Sequence, residues 1–403
     1  MIQALQRRRP SRTAPTLWTR QFVAVSLAML AYFIGDGILI AAVPRFVAGP
    51  LGGGSVAVGV VVGAFSVSAF FLRPWVGGLG DRRGRRPLMV LGAGLFALSV
   101  LGYALSADPT TLAVLRLVTG AGEALFFVGA VTTVTDLTPP ERRGEAMSLA
   151  SLALYVGIGV GPLGGELAIE RFGFTAAWLL AASAALVALG MALRVSETRP
   201  ATLLADKAGD APHHRLVHPA GLLPGLMLLA SILGMAAFLT FVPLYALELG
   251  MSGSRLVLLV FSAVVVGIRT IGARIPDTLG AVKAIRLALT LSAVGLTVAG
   301  TWRSPSGLMT AAVLLGVGIA LLTPSVFALA VERAEPEERG AVVGTTSAFL
   351  DVALGVGPAT LGFVAASYGY AGTFLVGAAA SGLGLMMVAQ CCRPMSLRAV
   401  GGL

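Results

Sequence analysis

Charged residues are scarce in this chain of 403 residues, because aspartate, glutamate, lysine and arginine together make up only 12% of it. A soluble domain carries about 25% charged residues, so a chain with half that share cannot cover its surface with polar groups. Hydrophobic residues make up 56% of the chain, and the mean hydropathy is +0.88. These values predict a protein that lies within a lipid bilayer.

Cysteine and histidine are also rare. The two cysteines, Cys391 and Cys392, are adjacent and offer no disulfide framework. The three histidines, His213, His214 and His218, all lie in one polar segment, away from the centre of any apolar run. Metal-assisted chemistry inside a membrane therefore has no ligands, and we expect no metal and no cofactor.

Three motif classes are missing from the sequence. No glycine-rich loop followed by lysine and serine or threonine occurs, which argues against ATP-driven pumping. No nucleophile or metal constellation lies in the apolar runs, which argues against an intramembrane enzyme. No segment outside those runs is long enough for a soluble domain, which argues against a membrane receptor or sensor. We expect a protein that is not an enzyme.

Long apolar runs dominate what is present. A bilayer-spanning helix needs about 20 apolar residues, and the runs reach that length, whereas the short alternating segments of a β-barrel do not appear. The sequence predicts an all-α membrane protein with twelve transmembrane helices. The predicted spans are 21–43, 55–79, 87–106, 111–134, 145–168, 173–193, 220–246, 254–275, 284–302, 307–331, 341–366 and 371–391.

The net charge of +10 follows the membrane topology. With a cytoplasmic N-terminus, 22 of the 29 lysines and arginines fall in the tails, the loops and the adjoining span ends on that same side. This positive-inside asymmetry predicts that both termini are cytoplasmic. We expect the protein to lie in the inner or plasma membrane of the cell. We expect no nucleic acid as a partner, because the orientation of the chain in the membrane accounts for its basic residues.

A repeat divides the chain into two halves. The run PERRG at 140–144 precedes Gly161-Pro162, and the run PEERG at 336–340 precedes Gly357-Pro358, both at an offset of 196 residues. Six helices separate the copies, an even number, so the halves are predicted to be parallel repeats. The predicted domains are an N-tail (1–20), a six-helix bundle (21–194), a cytoplasmic linker (195–219), a second six-helix bundle (220–391) and a C-tail (392–403).

Residues 77–86, with the sequence GGLGDRRGRR, lie between predicted spans two and three. They resemble the G-x-L-x-D-R-x-G-R-R signature of the major facilitator superfamily, and only Gly80 departs from the usual alanine. The resemblance implies the major facilitator fold, two pseudo-symmetric six-helix bundles, in which this loop locks the halves together. The gating residues implied are Gly77, Asp81, Arg82, Gly84 and Arg85. The repeat adds Arg73, its copy Arg269, and Asp277, which is the copy of Asp81, as scaffold and gate because they occur in both halves.

Span five contains a second motif, with Gly157, Gly161, Pro162 and Gly165 at the spacing G-x-x-x-G-P-x-x-G. Small residues let helices approach closely, and proline kinks a helix. The motif resembles that of the family's proton-coupled exporters, the drug/proton antiporter branch. It implies antiport, with these four residues involved in conformational change.

Ionisable residues inside a span are costly and usually functional. From a rise of about 1.5 Å per residue, Asp36 and Arg116 lie at a similar depth, and an ion pair between them would reduce the cost of burial. Arg116 also matches the family's span-four arginine, which is associated with proton coupling. Glu123 and Asp351 lie nearer the midplane. These four are the predicted proton-coupling residues.

The repeat fails where these charges stand. Asp36, Arg116 and Glu123 map onto Ile232, Ala312 and Ile319, and Asp351 maps back onto Tyr155. Asymmetry is therefore the sequence's guide to coupling. Aromatic residues near the same depth complete the predicted substrate pocket, which consists of Tyr32, Asp36, Glu123, Phe127, Tyr155, Phe238 and Phe349.

We expect a monomeric secondary transporter that exports a small organic or amphipathic molecule in exchange for protons. In this hypothesis a proton binds Glu123 or, as second choice, Asp36, while Arg116 holds the deprotonated carboxylate. An importer of a metabolite or sugar on the same fold stays open as an alternative. The substrate itself is not encoded in any motif of the sequence.

Overall fold

A computed structural model describes residues 17–139, 142–198, 218–272, 278–332 and 338–391, and these residues form helices and short connections without a β-strand. The helices are α1 (Arg20–Ala48), α2 (Ser55–Arg83), α3 (Arg85–Gly102), α4 (Pro109–Asp136), α5 (Arg143–Phe172), α6 (Phe174–Arg194), α7 (Pro219–Glu248), α8 (Arg255–Ile271), α9 (Ala281–Thr301), α10 (Pro305–Glu332) and α11 (Arg339–Cys391). The all-α prediction is confirmed for these ranges.

Ten of these helices are long and apolar enough to cross a membrane, and α8 is shorter at 17 residues. The longest helix, α11, has 53 residues but is not continuous, because Gly369 leaves the helical conformation with a φ of 72°. It divides α11 into a first arm (339–368) and a second arm (370–391). The break falls between the predicted spans 341–366 and 371–391.

Four glycines with positive φ mark tight connections and follow the repeat. Gly84 (φ 99°) precedes α3, and its copy Gly280 (φ 78°) precedes α9. Gly173 (φ 81°) precedes α6, and its copy Gly369 separates the two arms of α11. Residues with a Cβ rarely adopt this conformation, so the repeat preserves glycine where the backbone requires it.

Helices α1–α6 pack mainly on one another, and so do α7–α11, with two long interfaces between the groups. In one interface α2 packs on the first arm of α11, where a Cβ added to Gly63 would lie 2.4 Å from the carbonyl oxygen of Gly355. In the other α5 packs on α8, where a Cβ on Gly159 would lie 2.7 Å from Ser262. The two interfaces are equivalent in the repeat, because Gly159 corresponds to Gly355 at the offset of 196.

The two ends of the bundle differ in charge. The arginine-rich end is the one where α2 ends and α3 begins, and it carries Arg82, Arg83, Arg85 and Arg86. The opposite end holds the connections α1–α2, α3–α4 and α5–α6. Between the ends, large exposed side chains such as Trp75 are apolar, as expected for helices that face lipid.

Candidate functional site

A half-buried arginine joins two carboxylates from different parts of the fold. Nη2 of Arg73 on α2 donates to Oε1 and Oε2 of Glu123 on α4 at 3.1 and 3.2 Å. Nη1 of Arg73 donates to Oδ1 of Asp351 on the first arm of α11. We call Arg73, Glu123 and Asp351 the charge cluster. It links helices α1–α6 to helices α7–α11 through ion pairs.

The helices bring the charge cluster to one depth. Arg73 lies ten residues before the end of α2, and Asp351 lies twelve residues after the start of α11. Both are therefore about 15–18 Å from the arginine-rich end, at a rise of about 1.5 Å per residue. Phe127, one turn beyond Glu123, places its ring 5.3 Å from Cζ of Arg73. Carboxylates and an aromatic face thus surround the guanidinium.

Burial makes these ion pairs consequential. The side chains of Glu123 and Asp351 are 8% and 13% exposed, so little water solvates either carboxylate. A buried charge is stable only when it is paired, and removing one partner leaves the other uncompensated. A proton on Glu123 or Asp351 would therefore weaken an ion pair of Arg73. Since Arg73 contacts Asp351 across the interface, the contact between α2 and α11 would weaken as well.

Arg116 does not take the positions predicted for it. Among the described residues no ion pair within 4.0 Å joins Arg116 to Asp36, and Arg73 rather than Arg116 holds Glu123. The Arg116 guanidinium lies 4.6 Å from the centre of the Phe65 ring, and its Nε and Nη1 are buried without a hydrogen-bond partner. The rise per residue estimates depth, but it does not fix the direction in which a side chain points.

The aromatic residues predicted for a substrate pocket are dispersed. Tyr32 is fully buried, and its ring stacks on Phe126 at 4.1 Å. Phe238 is fully buried between Phe261 and Phe374, at 5.8 and 6.2 Å. Both rings are packed in the core in this conformation, and a role for them in substrate binding stays a prediction.

The other predicted pocket residues lie at helix contacts. Phe127 faces Arg73, as described above, and Tyr155 on α5 lies under the guanidinium of Arg269, whose Cζ is 4.7 Å from the ring centre. Phe349 packs on α7, where a Cβ added to Gly225 would lie 2.3 Å from the Phe349 ring. Asp36 is half-buried on α1.

The glycine motif of α5 forms a close helix crossing. A Cβ on Gly157 would lie 2.3 Å from the carbonyl oxygen of Phe33, and one on Gly161 would lie 2.6 Å from Cα of Gly37. Gly165 packs on α1 as well, and Pro162 lies inside the helix. These contacts are made within α1–α6. The α5 glycine that faces the other half is Gly159, which was not among the predicted residues.

The loop at residues 77–86 is fixed by pairs within α1–α6. Arg85 donates to Asp81 at 2.8 Å and lies 3.4 Å from Asp136. Glu197 accepts from the backbone N–H of Arg85 at 2.8 Å and leaves no room at Gly84, where a Cβ would meet its carboxylate at 2.3 Å. The two remaining loop residues, Gly77 and Arg82, are half-buried and exposed, respectively. Asp277, the predicted counterpart of Asp81, lies outside the described residues.

At the opposite end, a carboxylate missed in the sequence joins the two groups of helices. Glu166 on α5 has no exposed side-chain surface. It accepts from the backbone N–H groups of Ser254 and Arg255 at 2.8 and 3.0 Å, and from the Ser254 hydroxyl at 2.8 Å. It therefore caps the start of α8, while Arg255 pairs with Glu170 at 2.7 Å. Its position next to the α5 glycine motif was the available signal.

We expect Glu166→Ala to destabilise the protein more than Glu170→Ala. The first change leaves buried N–H groups at the start of α8 without an acceptor, which costs about 1–3 kcal/mol. The second removes a partly exposed ion pair worth about 0–1 kcal/mol. Thermal unfolding of the purified variants in one detergent measures the difference. Equal unfolding temperatures for the two variants would show that the cap contributes little.

Comparison with known proteins adds the family. A family model described as the Major Facilitator Superfamily matches residues 25–296 and 269–394. An uncharacterized MFS-type transporter of Burkholderia pseudomallei (strain 1106a) is 27% identical over 387 residues, covering 94% of this chain and 93% of the relative. Another from Salmonella typhimurium (strain LT2) is 27% identical over 377 residues, covering 90% and 94%.

Solved structures share the fold at low identity. The human organic anion transporter MFSD10 aligns with a TM-score of 0.67 and 20% identity, over 92% of this chain and 99% of that chain. A bacterial homolog of the human lysosomal transporter Spinster, in an inward-facing and unoccupied conformation, aligns with a TM-score of 0.71 and 13% identity, over 94% and 96%. At these identities the likeness shows the fold alone.

Apolar helices of membrane-spanning length, packed in two groups, define a multi-pass membrane protein. The chain belongs to the Major Facilitator Superfamily. The family predicted from the loop at residues 77–86 is thereby confirmed, and so is a transport function.

Proposed function

We propose that the protein exports a small organic molecule in exchange for protons by alternating access between two bundles. The bundles are residues 21–194 and 220–391, joined by the linker 195–219, and each contributes six spans when α8 and both arms of α11 are counted. The arginine-rich end is cytoplasmic in this proposal, which the positive-inside asymmetry supports. The bacterial relatives favour an inner-membrane location.

The observation that carries the proposal is the charge cluster. Arg73 is held by one carboxylate from α4 and one from α11, so it couples the contact between the halves to the protonation of those carboxylates. A proton on Glu123 or Asp351 removes one negative charge and weakens the hold on Arg73. Loss of the proton restores it. A protonation step is thereby linked to the relative motion of the halves.

Export rather than import is supported by the motif in α5. Gly157, Gly161 and Gly165 seat α5 against α1, and their spacing around Pro162 resembles that of the family's proton-coupled exporters. The same helix contacts α8 through Gly159 and Glu166. A helix that holds both α1 and α8 can transmit movement between the two bundles.

We expect Glu123→Gln to abolish proton-driven export. Glutamine keeps the shape and the acceptor oxygen but cannot gain or lose a proton near neutral pH. A thermal-shift screen of organic compounds on the purified protein first supplies a ligand. Uptake of that ligand is then measured in everted vesicles, with and without an acidic vesicle interior. Uptake into an everted vesicle corresponds to export from the cell, and an acidic interior drives it.

Insertion into the membrane is the control, and it should persist in Glu123→Gln. Glu145→Gln is a matched variant, because Glu145 pairs with Arg142 three residues away on the arginine-rich surface. It should transport like the wild type. Gradient-driven uptake at the wild-type rate in Glu123→Gln would sink the coupling role, and accumulation only under the reversed gradient would favour an importer.

A further inference from the structure

A second arginine lies between the two halves, and its hydrogen-bond partners among the described residues are hydroxyl groups. Arg269 on α8 donates from Nη1 to the Ser151 hydroxyl at 3.2 Å and from Nη2 to the Tyr155 hydroxyl at 3.5 Å. Its Nε is buried and has no hydrogen-bond partner. No ion pair within 4.0 Å involves Arg269 in the ranges that the structure describes. Its positive charge is thus met by neutral groups.

The repeat shows what is missing at this place. Arg269 is the copy of Arg73 at the offset of 196, and the two interfaces that hold them are equivalent. Around Arg73 stand Glu123 and Asp351. At the corresponding positions around Arg269 the chain has Ile319 and Tyr155. Within the described part of the chain, Arg73 has two carboxylate partners and Arg269 has none.

A cavity adjoins the unpaired arginine. Its volume is about 100 Å³, which is too small for a whole drug-sized molecule but large enough for an acid group, since drug-sized pockets start at about 300 Å³. The cavity lies between α5, α8 and α10. Its lining is Ser148, Ser151, Ile268, Arg269, Gly272, Ala320, Leu321 and Pro324.

We propose that this cavity binds the anionic group of the transported molecule, a carboxylate or a sulfonate, at Arg269. The inference rests on the proposed transport function and names the substrate class. A guanidinium binds such groups through two parallel hydrogen bonds, and apolar walls such as Ile268 and Leu321 strengthen them by excluding water. The ligand's acid group supplies the negative charge that Asp351 supplies to Arg73.

Serine and tyrosine hydroxyls add to the selectivity. Ser151 and Tyr155 now accept hydrogen bonds from Arg269, and a hydroxyl can rotate to donate to an incoming anion instead. An uncharged amide of the same shape would leave the arginine without a counter-charge. The site therefore favours the acid over the amide of one scaffold.

Equilibrium binding of 2-naphthoate and 2-naphthamide to the full-length protein in lipid nanodiscs tests this. The wild type should bind the carboxylate at least about tenfold more tightly than the amide, as expected for one charge-assisted pair. Arg269→Gln should remove that preference, while Arg269→Lys should keep part of it. Arg303→Gln, which removes an exposed arginine at the opposite end, should keep all of it.

A second variant tests the symmetry argument directly. Tyr155→Asp places a carboxylate at the position equivalent to Asp351, where it can pair with Arg269 and compete with the ligand. It should weaken 2-naphthoate binding by about tenfold and weaken 2-naphthamide binding much less. Equal binding of acid and amide by the wild type, a full preference retained in Arg269→Gln, or an equal loss of both ligands in that variant would each overturn the proposal.

Binding is measured without a pH gradient, so this test is separate from that of proton coupling. Selective 2-naphthoate binding through Arg269, together with ligand transport that ignores the proton gradient, would refute the coupling proposal and leave the anion site intact. Proton-driven transport with no preference for the acid would refute the anion site alone.

Discussion

Replacing Arg73 by glutamine is expected to abolish proton-driven transport and to destabilise the protein more than the loss of any other single arginine considered above. The change leaves Glu123 and Asp351 facing each other without a counter-charge. Removing one partner of a buried ion pair costs about 3–5 kcal/mol. Protonation of the carboxylates recovers part of the lost stability. Without Arg73, however, no ion pair can form again when the protons leave, so protonation no longer changes the contact between the halves.

The measurements are thermal unfolding of the purified variants and gradient-driven uptake in everted vesicles. Arg269→Gln is the matched control for stability, because it removes the equivalent arginine from a site without a carboxylate partner among the described residues. Its unfolding temperature should fall less. Wild-type uptake by Arg73→Gln would contradict the role of the charge cluster.

A neutral version of the charge cluster separates stability from coupling. Combining Arg73→Gln with Glu123→Gln and Asp351→Asn removes every charge at once, so no buried carboxylate is left unpaired. Neutral groups of similar shape can replace a buried ion pair at little cost in stability. The triple variant should therefore unfold near the wild-type temperature and still lack proton-driven uptake.

Much of the fold follows from the sequence because a bilayer permits few alternatives. Backbone groups in lipid must be hydrogen-bonded within the segment, so an apolar run of sufficient length becomes a helix. The glycines between helices were also predictable, because the repeat keeps them at equivalent positions. Gly84 and Gly173 recur as Gly280 and Gly369, and all four have the positive φ that other residues avoid.

The candidate site was only partly predictable, since depth follows from chain position but helix rotation does not. Glu123 and Asp351 were placed near the midplane, and in the structure they lie close enough to share one arginine. The partners of Arg73 did not follow from its position in the sequence. Arg73 recurs as Arg269, and the repeat therefore predicts a role in scaffold and gate without indicating which carboxylates Arg73 contacts.

The repeat held more information than that interpretation used. A residue and its copy occupy equivalent places, but their partners need not be equivalent. Asp351 faces Arg73, so its counterpart Tyr155 must face Arg269, and this is the contact that the structure has. Once the structure supplies one pair of partners, the offset of 196 gives the equivalent pair in the other half. Glu166 lies next to the α5 glycine motif, but its partners could not be predicted, because they are backbone N–H groups.

Asp351→Asn is expected to shift the conformational equilibrium toward opening at the arginine-rich end. The pair of Asp351 with Arg73 joins α2 to the first arm of α11, about 15–18 Å from that end, and so holds the two halves together there. A hydrogen bond to a charged group contributes about 1.5–3 kcal/mol. Its weakening should therefore change the ratio of closed to open states about tenfold or more.

Spin labels on the two bundles measure this shift as a distance distribution. Arg86 and Lys283 are exposed at the starts of α3 and α9, which are equivalent helices of the two halves, and each can be replaced by a labelled cysteine after Cys391 and Cys392 are changed to serine. Longer distances should gain population in Asp351→Asn, and acidification should produce the same gain in the wild type but little more in the variant.

The direction of the pH effect distinguishes this from general loosening of the structure. Protons neutralise the carboxylates that hold Arg73, so acid favours the open state only while Asp351 and Glu123 can still titrate. Glu145→Gln, which alters an ion pair within one helix surface, should show the wild-type distances and the wild-type response to acid. If Asp351→Asn instead responds to acid as fully as the wild type does, the proton acts on a group outside the charge cluster, and Arg73 is a structural tie between α2 and α11.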